Sequence, residues 1–184
     1  MAIIRYSPQI CNALLTFVTN VINYLTVATQ HGDHRNSGKI MEVTSIVELL
    51  GGTRVIGGKV SNTADFIPLI RLGFSFRSIE KLTHRLGLKI EQVAQFVKIN
   101  PRTIHRRRSS ETRLTASESE KIYRLARVMA LAEEVFEDRQ NAQSWLLGSI
   151  PALGGVTPLS LMDTDEGARQ VEQTLLRLAW GVYS

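Results

Sequence analysis

The spacing of apolar residues predicts helices along most of the chain. From residue 42 onward, apolar positions recur every three or four residues, as in amphipathic helices, and alternating strand-like runs are scarce. One short piece, residues 53 to 60 between two glycine pairs, is a candidate strand. No period of about 20 to 50 residues repeats, which excludes a solenoid. The pattern therefore predicts an all-α fold.

Two amphipathic helices are predicted in the C-terminal half. Ser117 and Glu120 fit a capping box at the start of a helix of about twenty residues with one buried stripe. That stripe consists of Ile122, Leu125, Ala126, Met129, Ala132, Val135 and Phe136. Asp163 and Glu166 repeat the capping pattern before a last helix, whose stripe is Ala168, Val171, Leu175, Leu178 and Val182. Such a stripe is either ordinary core or a docking face for a partner chain.

The segment between these helices, residues 149 to 167, is rich in glycine and proline but too apolar for a flexible linker. Five of its apolar residues require burial: Leu153, Val156, Leu159, Leu161 and Met162. We predict a shaped loop that uses glycines at unusual backbone angles and is held against a surface. That surface is either its own core or another protein.

Residues 90 to 108 have the layout of a helix-turn-helix. The apolar positions Ile90, Val93, Ala94 and Val97 define the inner side of the first helix, and the small Ala94 permits a close helix crossing. Ile99 fills the corner of the turn. Asn100 then caps the second helix, and Pro101 occupies its first position. Lys98 stands where glycine is common and has to adopt a left-handed conformation or use another turn.

The charge of the chain is concentrated in this segment. Six bases and one acid lie between residues 98 and 113, a net charge of +5 that equals the formal charge of the whole chain. A helix-turn-helix places its second helix in the major groove, so we predict DNA contact. The predicted DNA-binding residues are Lys98, Asn100, Arg102, Thr103, His105, Arg106, Arg107 and Arg108.

These residues suggest a division of roles. Arg102 and Arg106 lie four residues apart on one helical face, and each could bind a guanine. Lys98 suits phosphates, and Arg107, Arg108 and Arg113 are expected to grip the DNA backbone. The alternative is a solvated basic helix end.

Composition narrows the remaining classes. A single cysteine, Cys11, makes no intrachain disulfide and favours a reducing, cytoplasmic location. No catalytic or phosphate-binding motif is present, and His31 and His34 read as part of a loop, so we predict no enzyme, no metal and no cofactor. The apolar run from 13 to 28 is shorter than the roughly 20 residues that span a membrane.

The chain resembles the Xre/MbcA/ParS-type antitoxins of RES-Xre and ParT-ParS toxin-antitoxin pairs. The matching residues begin at Glu48-Leu49-Leu50-Gly51-Gly52 and include Gly73 and the run from Thr103 to Arg108. The most specific motifs are C-terminal: Trp145-Leu146, Leu153-Gly154-Gly155, Thr157-Pro158-Leu159 and Gly167. The resemblance spans roughly three quarters of the chain and excludes the first forty residues.

The resemblance implies three parts. Residues 1–40 would be a variable extension or helical arm unless Met41 is the natural start, residues 41–116 an Xre-like helix-turn-helix domain, and residues 117–184 a toxin-binding domain. The family dimerises, covers the active site of an NAD-consuming RES-domain toxin and represses its own promoter. By this resemblance the toxin-binding residues are Trp145, Leu153, Gly154, Gly155, Leu161, Glu166, Arg169 and Arg177.

Two alternatives to an antitoxin follow from the residues themselves. The first is a stand-alone transcription regulator whose C-terminal region serves dimerisation or sensing. The second, an enzyme, lacks a supporting motif. The resemblance favours the antitoxin, with operator DNA, a toxin and a second copy of the chain as partners.

Overall fold

The computed structural model describes residues 37 to 110 and 112 to 180, without the side chains of residues 37 to 42, 101, 105 and 109. Within these ranges the chain forms ten α-helices and two short 3-10 helices, Thr63–Asp65 and Pro151–Leu153. The α-helices are α1 (Ser37–Leu49), α2 (Thr53–Ile56), α3 (Phe66–Leu72), α4 (Arg77–Leu86), α5 (Ile90–Val97), α6 (Pro101–Ser110), α7 (Ala116–Phe136), α8 (Arg139–Leu147), α9 (Pro158–Leu161) and α10 (Asp165–Ala179). The predicted all-α fold is confirmed.

The predicted strand between residues 53 and 60 is wrong. Residues Thr53 to Ile56 form the single helical turn α2, and Ile56 is fully buried. Gly52 and Gly57, with φ of 89° and 91°, bound this turn and redirect the chain on either side. Only two isolated bridges, Ser75 to Arg113 and Ile150 to Val156, provide β-type pairing in the described residues.

Helix α7 is the central helix of the described part of the chain. It packs against α1, α3, α4 and α5 from the N-terminal half and against α8 and α10 from the C-terminal half. The sequence predicted one buried stripe on this helix, but Tyr123, Val128 and Ala130 are also buried. The prediction was too narrow because α7 has helices around most of its circumference rather than on one side. Both halves of the chain therefore share one apolar core.

Helix α7 begins two residues earlier than predicted. Its N-cap is Thr115, whose hydroxyl accepts from the Glu118 backbone N–H at 3.2 Å, while the Glu118 carboxylate accepts from the Thr115 N–H at 2.7 Å. Ser117 lies inside the first turn, so the Ser117–Glu120 capping box is wrong. Burial of Leu114 explains this starting position. The chain leaves the core after Leu114, and the next residue, Thr115, is the N-cap.

Helix α10 also starts differently from the prediction. Thr164, rather than Asp163, is its N-cap and accepts from the Gly167 N–H at 3.1 Å. Ala168, Val171, Leu175 and Leu178 are buried, so the predicted stripe is core and not a docking face; Val182 lies outside the described residues. Helix α10 packs against α7, α9 and the 3-10 helix Pro151–Leu153.

Several predictions fall on residues outside the described ranges. These are the apolar run from 13 to 28, the histidines His31 and His34, and Cys11. Within the described ranges, no helix has the length and apolar character needed to cross a membrane. The same ranges contain no group of three or more histidine, cysteine or acidic residues placed to hold a metal ion.

Candidate functional site

Helices α5 and α6 form the predicted helix-turn-helix. Val93, Ala94 and Val97 are buried on the inner side of α5, with Ile90 partly buried at its start. Ile104 is buried on α6. The apolar inner faces of both helices were thus predicted correctly, and they leave the opposite side of α6 for solvent.

The turn between these helices uses a residue in the left-handed conformation. Lys98 has φ 65° and ψ 40°, which glycine adopts more readily, and its side chain is exposed. Ile99 is buried and its N–H donates to the Ala94 carbonyl at 2.8 Å. Asn100 then accepts from the Arg102 N–H through Oδ1 at 2.9 Å, as predicted for a cap. The turn therefore forms with lysine in the left-handed position where glycine is common.

The outer side of α6 carries the exposed polar residues of the motif. Asn100, Arg102, Thr103 and Arg106 line one shallow, open depression. Arg102 and Arg106 are exposed, and their spacing places them on the same helical face. We call these four residues the α6 outer face. The side chain of His105 is not among those described.

Three other arginines of the cationic segment have partners within the protein. Arg107 Nη1 donates to Glu118 Oε2 at 2.7 Å, and Arg108 Nε lies 2.9 Å from Glu80 Oε1. Arg113 Nη1 donates to the carbonyl of Gly73 at 2.7 Å. The sequence analysis assigned all three arginines to the DNA backbone and missed these contacts. Glu80 and Gly73 lie well before residues 98 to 113 in the chain, and Glu118 lies just after them.

The predicted glycine-rich loop is shaped as expected. Gly154 and Gly155 have φ of 76° and 78°, and the N–H of Gly155 donates to the Ile150 carbonyl at 3.0 Å. Leu153 and Met162 are buried, and Leu159 and Leu161 are partly buried. Val156 differs from the prediction, since it is 40% exposed.

The eight residues predicted to bind a toxin fall into two groups. Leu153 is only 4% exposed and belongs to the core, and Trp145 is half-buried with its ring centroid 5.9 Å from that of Phe136. Leu161 is also half-buried. The exposed group consists of Gly154, Gly155, Glu166, Arg169 and Arg177. A partner protein can reach this second group directly.

Exposed apolar residues in the same region were missed from the sequence. Leu176 is 44% and Trp180 is 77% exposed, and they lie four residues apart on α10 or at its end. Together with the exposed Arg169 and Gln173 they step by four, three and four residues, which places all four on one helical face. We call this set the α10 outer stripe. It lies opposite the buried stripe and could have been found by plotting both faces of the helix.

Hydrogen bonds tie this C-terminal region to the helix-turn-helix half. Arg139 and Gln143 of α8 donate to the carbonyl of Arg85, at the end of α4. Arg85 also pairs with Glu133 of α7 at 2.9 Å, and this hydrogen bond raises the pKa of the guanidinium above its ordinary value. On the other side of α7, Arg127 donates to Glu172 of α10. The two surfaces are therefore carried by one connected framework.

Two family models match these two regions. Residues 65–127 match an antitoxin Xre-like helix-turn-helix domain, and residues 131–181 match the antitoxin Xre/MbcA/ParS C-terminal toxin-binding domain. An antitoxin Xre of Yersinia enterocolitica is 33% identical over 132 residues, which cover 71% of this chain and 89% of the relative. The chain belongs to the Xre antitoxin family. It is accordingly an antitoxin of a toxin-antitoxin system, with one domain for DNA and one for a toxin.

Other relatives agree with this assignment. An antitoxin Xre of Pseudomonas putida is 34% identical over 109 residues, covering 59% of this antitoxin and 67% of the relative. A protein of Sphingobium sp. named Prs ADP-ribosylating antitoxin is 25% identical over 135 residues, covering 67% and 84%. The α6 outer face lies in the first matched region and the α10 outer stripe in the second.

Proposed function

We propose that this antitoxin neutralises an NAD-consuming RES-type toxin by covering its active site, and represses its own operon by binding operator DNA. It acts as a homodimer within a larger toxin-antitoxin complex, and it catalyses no reaction itself. The domain boundaries that accompany this proposal are 41–116 for DNA binding and 117–184 for toxin binding. By these boundaries nearly all of α7 falls in the toxin-binding part, but α7 supplies core residues to both parts.

The observation that carries the toxin-binding proposal is the α10 outer stripe. A solvent-facing tryptophan and leucine at helical spacing, flanked by Arg169, are typical of interface anchors. Monomeric proteins have little reason to display such residues together on a surface helix. The exposed Arg169, Arg177 and Glu166 on the same side of α10 supply the polar rim.

The chemistry of the toxin is inferred from a relative. The Sphingobium protein is named for ADP-ribosylation, and that reaction transfers ADP-ribose from NAD. A toxin that binds NAD needs an accessible cleft for this cofactor. A helix that presents a protruding Trp180 could close such a cleft, which supports neutralisation by occlusion.

The α6 outer face supports operator binding. Arg102 and Arg106 are exposed in the first and second turns of the second helix of a helix-turn-helix, the helix whose side chains meet base edges. The C-terminal region lacks a comparable charge excess, because residues 138 to 184 carry five acids and three bases. The two partners therefore have separate surfaces.

The toxin-binding proposal is tested by co-expressing the antitoxin with the product of the neighbouring reading frame. We expect the two proteins to co-purify, growth to be restored and the cellular NAD level to recover. Trp180→Ala is expected to weaken the complex by about 2 kcal/mol or more, roughly 30-fold, as for a buried interface anchor. The binding is measured by titration of the purified toxin.

Leu72→Ala is the matched control for the outer stripe. Leu72 is 58% exposed on α3, in the helix-turn-helix half, so its removal should leave toxin binding unchanged. Equal binding by wild type and the Trp180 and Leu176 variants would contradict the proposed surface. If the two proteins neither co-purify nor restore growth, the proposal that this chain neutralises that toxin is contradicted, and a stand-alone transcription regulator is favoured.

A further inference from the structure

Three consecutive arginines on α6 point in three directions. Successive residues of an α-helix are rotated by about 100°. Arg106 lies on the α6 outer face, Arg107 turns toward α7 and Arg108 turns toward α4, where each finds a carboxylate. Only the first of these side chains is thus aligned with Arg102 and Thr103. The other two connect the flanks of α6 to the neighbouring helices.

Arg107 has the more enclosed of the two pairs. Its side chain is 17% exposed and that of Glu118 is 16% exposed, whereas the side chain of Arg108 is 63% exposed. Exposed ion pairs contribute little, but a charged hydrogen bond in a half-buried setting is stronger and less screened by salt. The Arg107–Glu118 contact is therefore the one able to fix the position of α6.

Glu118 is itself held in place by the start of α7. The same oxygen, Oε2, accepts from Arg107 Nη1 and from the Thr115 N–H, both at 2.7 Å. The carboxylate is thereby fixed by the capping box, and α7 is anchored in the shared core. An arginine bound to this oxygen links the second helix of the helix-turn-helix directly to α7, which packs against six other helices of the described chain.

We propose that Arg107 is a positioning residue that sets the orientation of α6 through Glu118, and that it makes no contact with DNA. This inference rests on the proposed function, in which the α6 outer face binds the operator. Correct orientation matters for base contacts, because they need precise geometry, and matters less for contact with phosphates on any sequence. The pair therefore determines preference for the operator rather than general affinity for DNA.

The test measures binding of the full-length antitoxin to two DNA duplexes over a range of salt concentrations. One duplex carries the sequence upstream of the antitoxin's own gene and the other is a shuffled sequence of the same composition. The single variants are Arg107→Ala, Arg107→Lys, Glu118→Gln and Arg106→Ala. The double variants combine Glu118→Gln with Arg107→Ala or with Arg106→Ala. Thermal unfolding and hydrogen exchange of the α6 amides are measured on the same proteins.

We expect Arg107→Ala to reduce affinity for the upstream duplex by about fivefold or more, the loss for one weakened base contact, without altering binding to the shuffled duplex or its salt slope. Glu118→Gln should cause a similar loss, because the amide still accepts from Thr115 but loses the charge that holds Arg107. The freed Arg107 should then steepen the salt slope on the shuffled duplex by about one unit. Arg107→Lys, which keeps the charge, should retain most of the preference.

Double variants separate positioning from direct contact. Adding Arg107→Ala to Glu118→Gln should cause little further loss of preference, since both remove the same pair, whereas Arg106→Ala should add its full effect. Exchange of α6 amides should accelerate in Arg107→Ala and Glu118→Gln but not in Arg106→Ala.

Three results would overturn the inference. If Arg107→Ala weakens both duplexes equally and flattens the salt slope while Glu118→Gln has no effect, Arg107 contacts phosphate. If both variants lower the melting temperature but leave operator preference unchanged, the pair serves stability alone. If wild type binds neither duplex with preference, the proposed DNA-binding function fails, and the positioning role fails with it.

Discussion

Three arginines on or just after α6 are bound to groups of the protein itself. The window from 98 to 113 holds six bases, but Arg107, Arg108 and Arg113 bind Glu118, Glu80 and the Gly73 carbonyl. The sequence identified Arg102 and Arg106 by their shared helical face. It could not identify the acceptors, because Glu80 and Gly73 come from other helices and loops that only the fold brings near.

Gly73 illustrates a residue whose requirement is steric. It has φ 88°, and a Cβ atom there would lie 2.0 Å from the Leu114 carbonyl oxygen. Gly52 has nearly the same φ, 89°, but a Cβ atom there would meet nothing within 4 Å. Both Gly→Ala variants should lose about 1 to 3 kcal/mol of stability from backbone strain. Gly73→Ala should lose a further 1 to 3 kcal/mol, roughly, through overpacking.

Chemical denaturation of the two glycine variants measures this difference. The comparison is matched in φ, which is 89° for Gly52 and 88° for Gly73, and the clash with Leu114 is present only at Gly73. Equal midpoints for Gly73→Ala and Gly52→Ala would show that the Leu114 carbonyl moves aside without cost.

At the scale of single helices, the sequence predicted which helices are present better than it predicted the residues at which they begin. Ile99 and Asn100 took the places expected of them, and Lys98 took the first of its two alternatives, the left-handed conformation, because local chemistry determines a helix start after a short turn. The start of α7 was misplaced, since both Thr115–Glu118 and Ser117–Glu120 satisfy the capping-box spacing. Burial of Leu114 selects the first pair, and burial is a property of the whole fold.

The cap of α7 can be tested with two neighbouring substitutions. Thr115→Ala removes the hydroxyl that accepts from the Glu118 N–H and should reduce stability by about 0.5 to 2 kcal/mol. Ser117→Ala, inside the first turn, should change stability by less than about 0.5 kcal/mol. Urea unfolding of both variants provides the values. A larger loss for Ser117→Ala would restore the register predicted from the sequence.

For the whole molecule, the sequence predicted the all-α class and both functional regions but not how they are joined. The buried stripe of α10 was open to two interpretations, core or interface, because an amphipathic pattern does not say what covers it. In the structure this stripe is buried in the core that α10 shares with α7, so the opposite face of α10 is the one exposed to solvent. Trp180 and Leu176 became candidates only once the buried face was known.

The shared helix α7 predicts that both halves unfold together. Leu175 is fully buried in the core that the two halves have in common, so Leu175→Ala should reduce stability by about 2 to 5 kcal/mol. Its neighbour Leu176 is 44% exposed, and Leu176→Ala should change stability by less than about 0.5 kcal/mol while weakening toxin binding.

Calorimetry should give one transition for wild type and for Leu175→Ala, with equal calorimetric and van't Hoff enthalpies. In hydrogen exchange, Leu175→Ala should lower the protection of α4 and α5 as well as α8, because all three helices pack against α7. Arg85 of α4 also pairs with Glu133 of α7 and accepts from Arg139 of α8. Two separate transitions, with only the second half affected by Leu175→Ala, would mean that the helix-turn-helix domain folds independently of the toxin-binding domain.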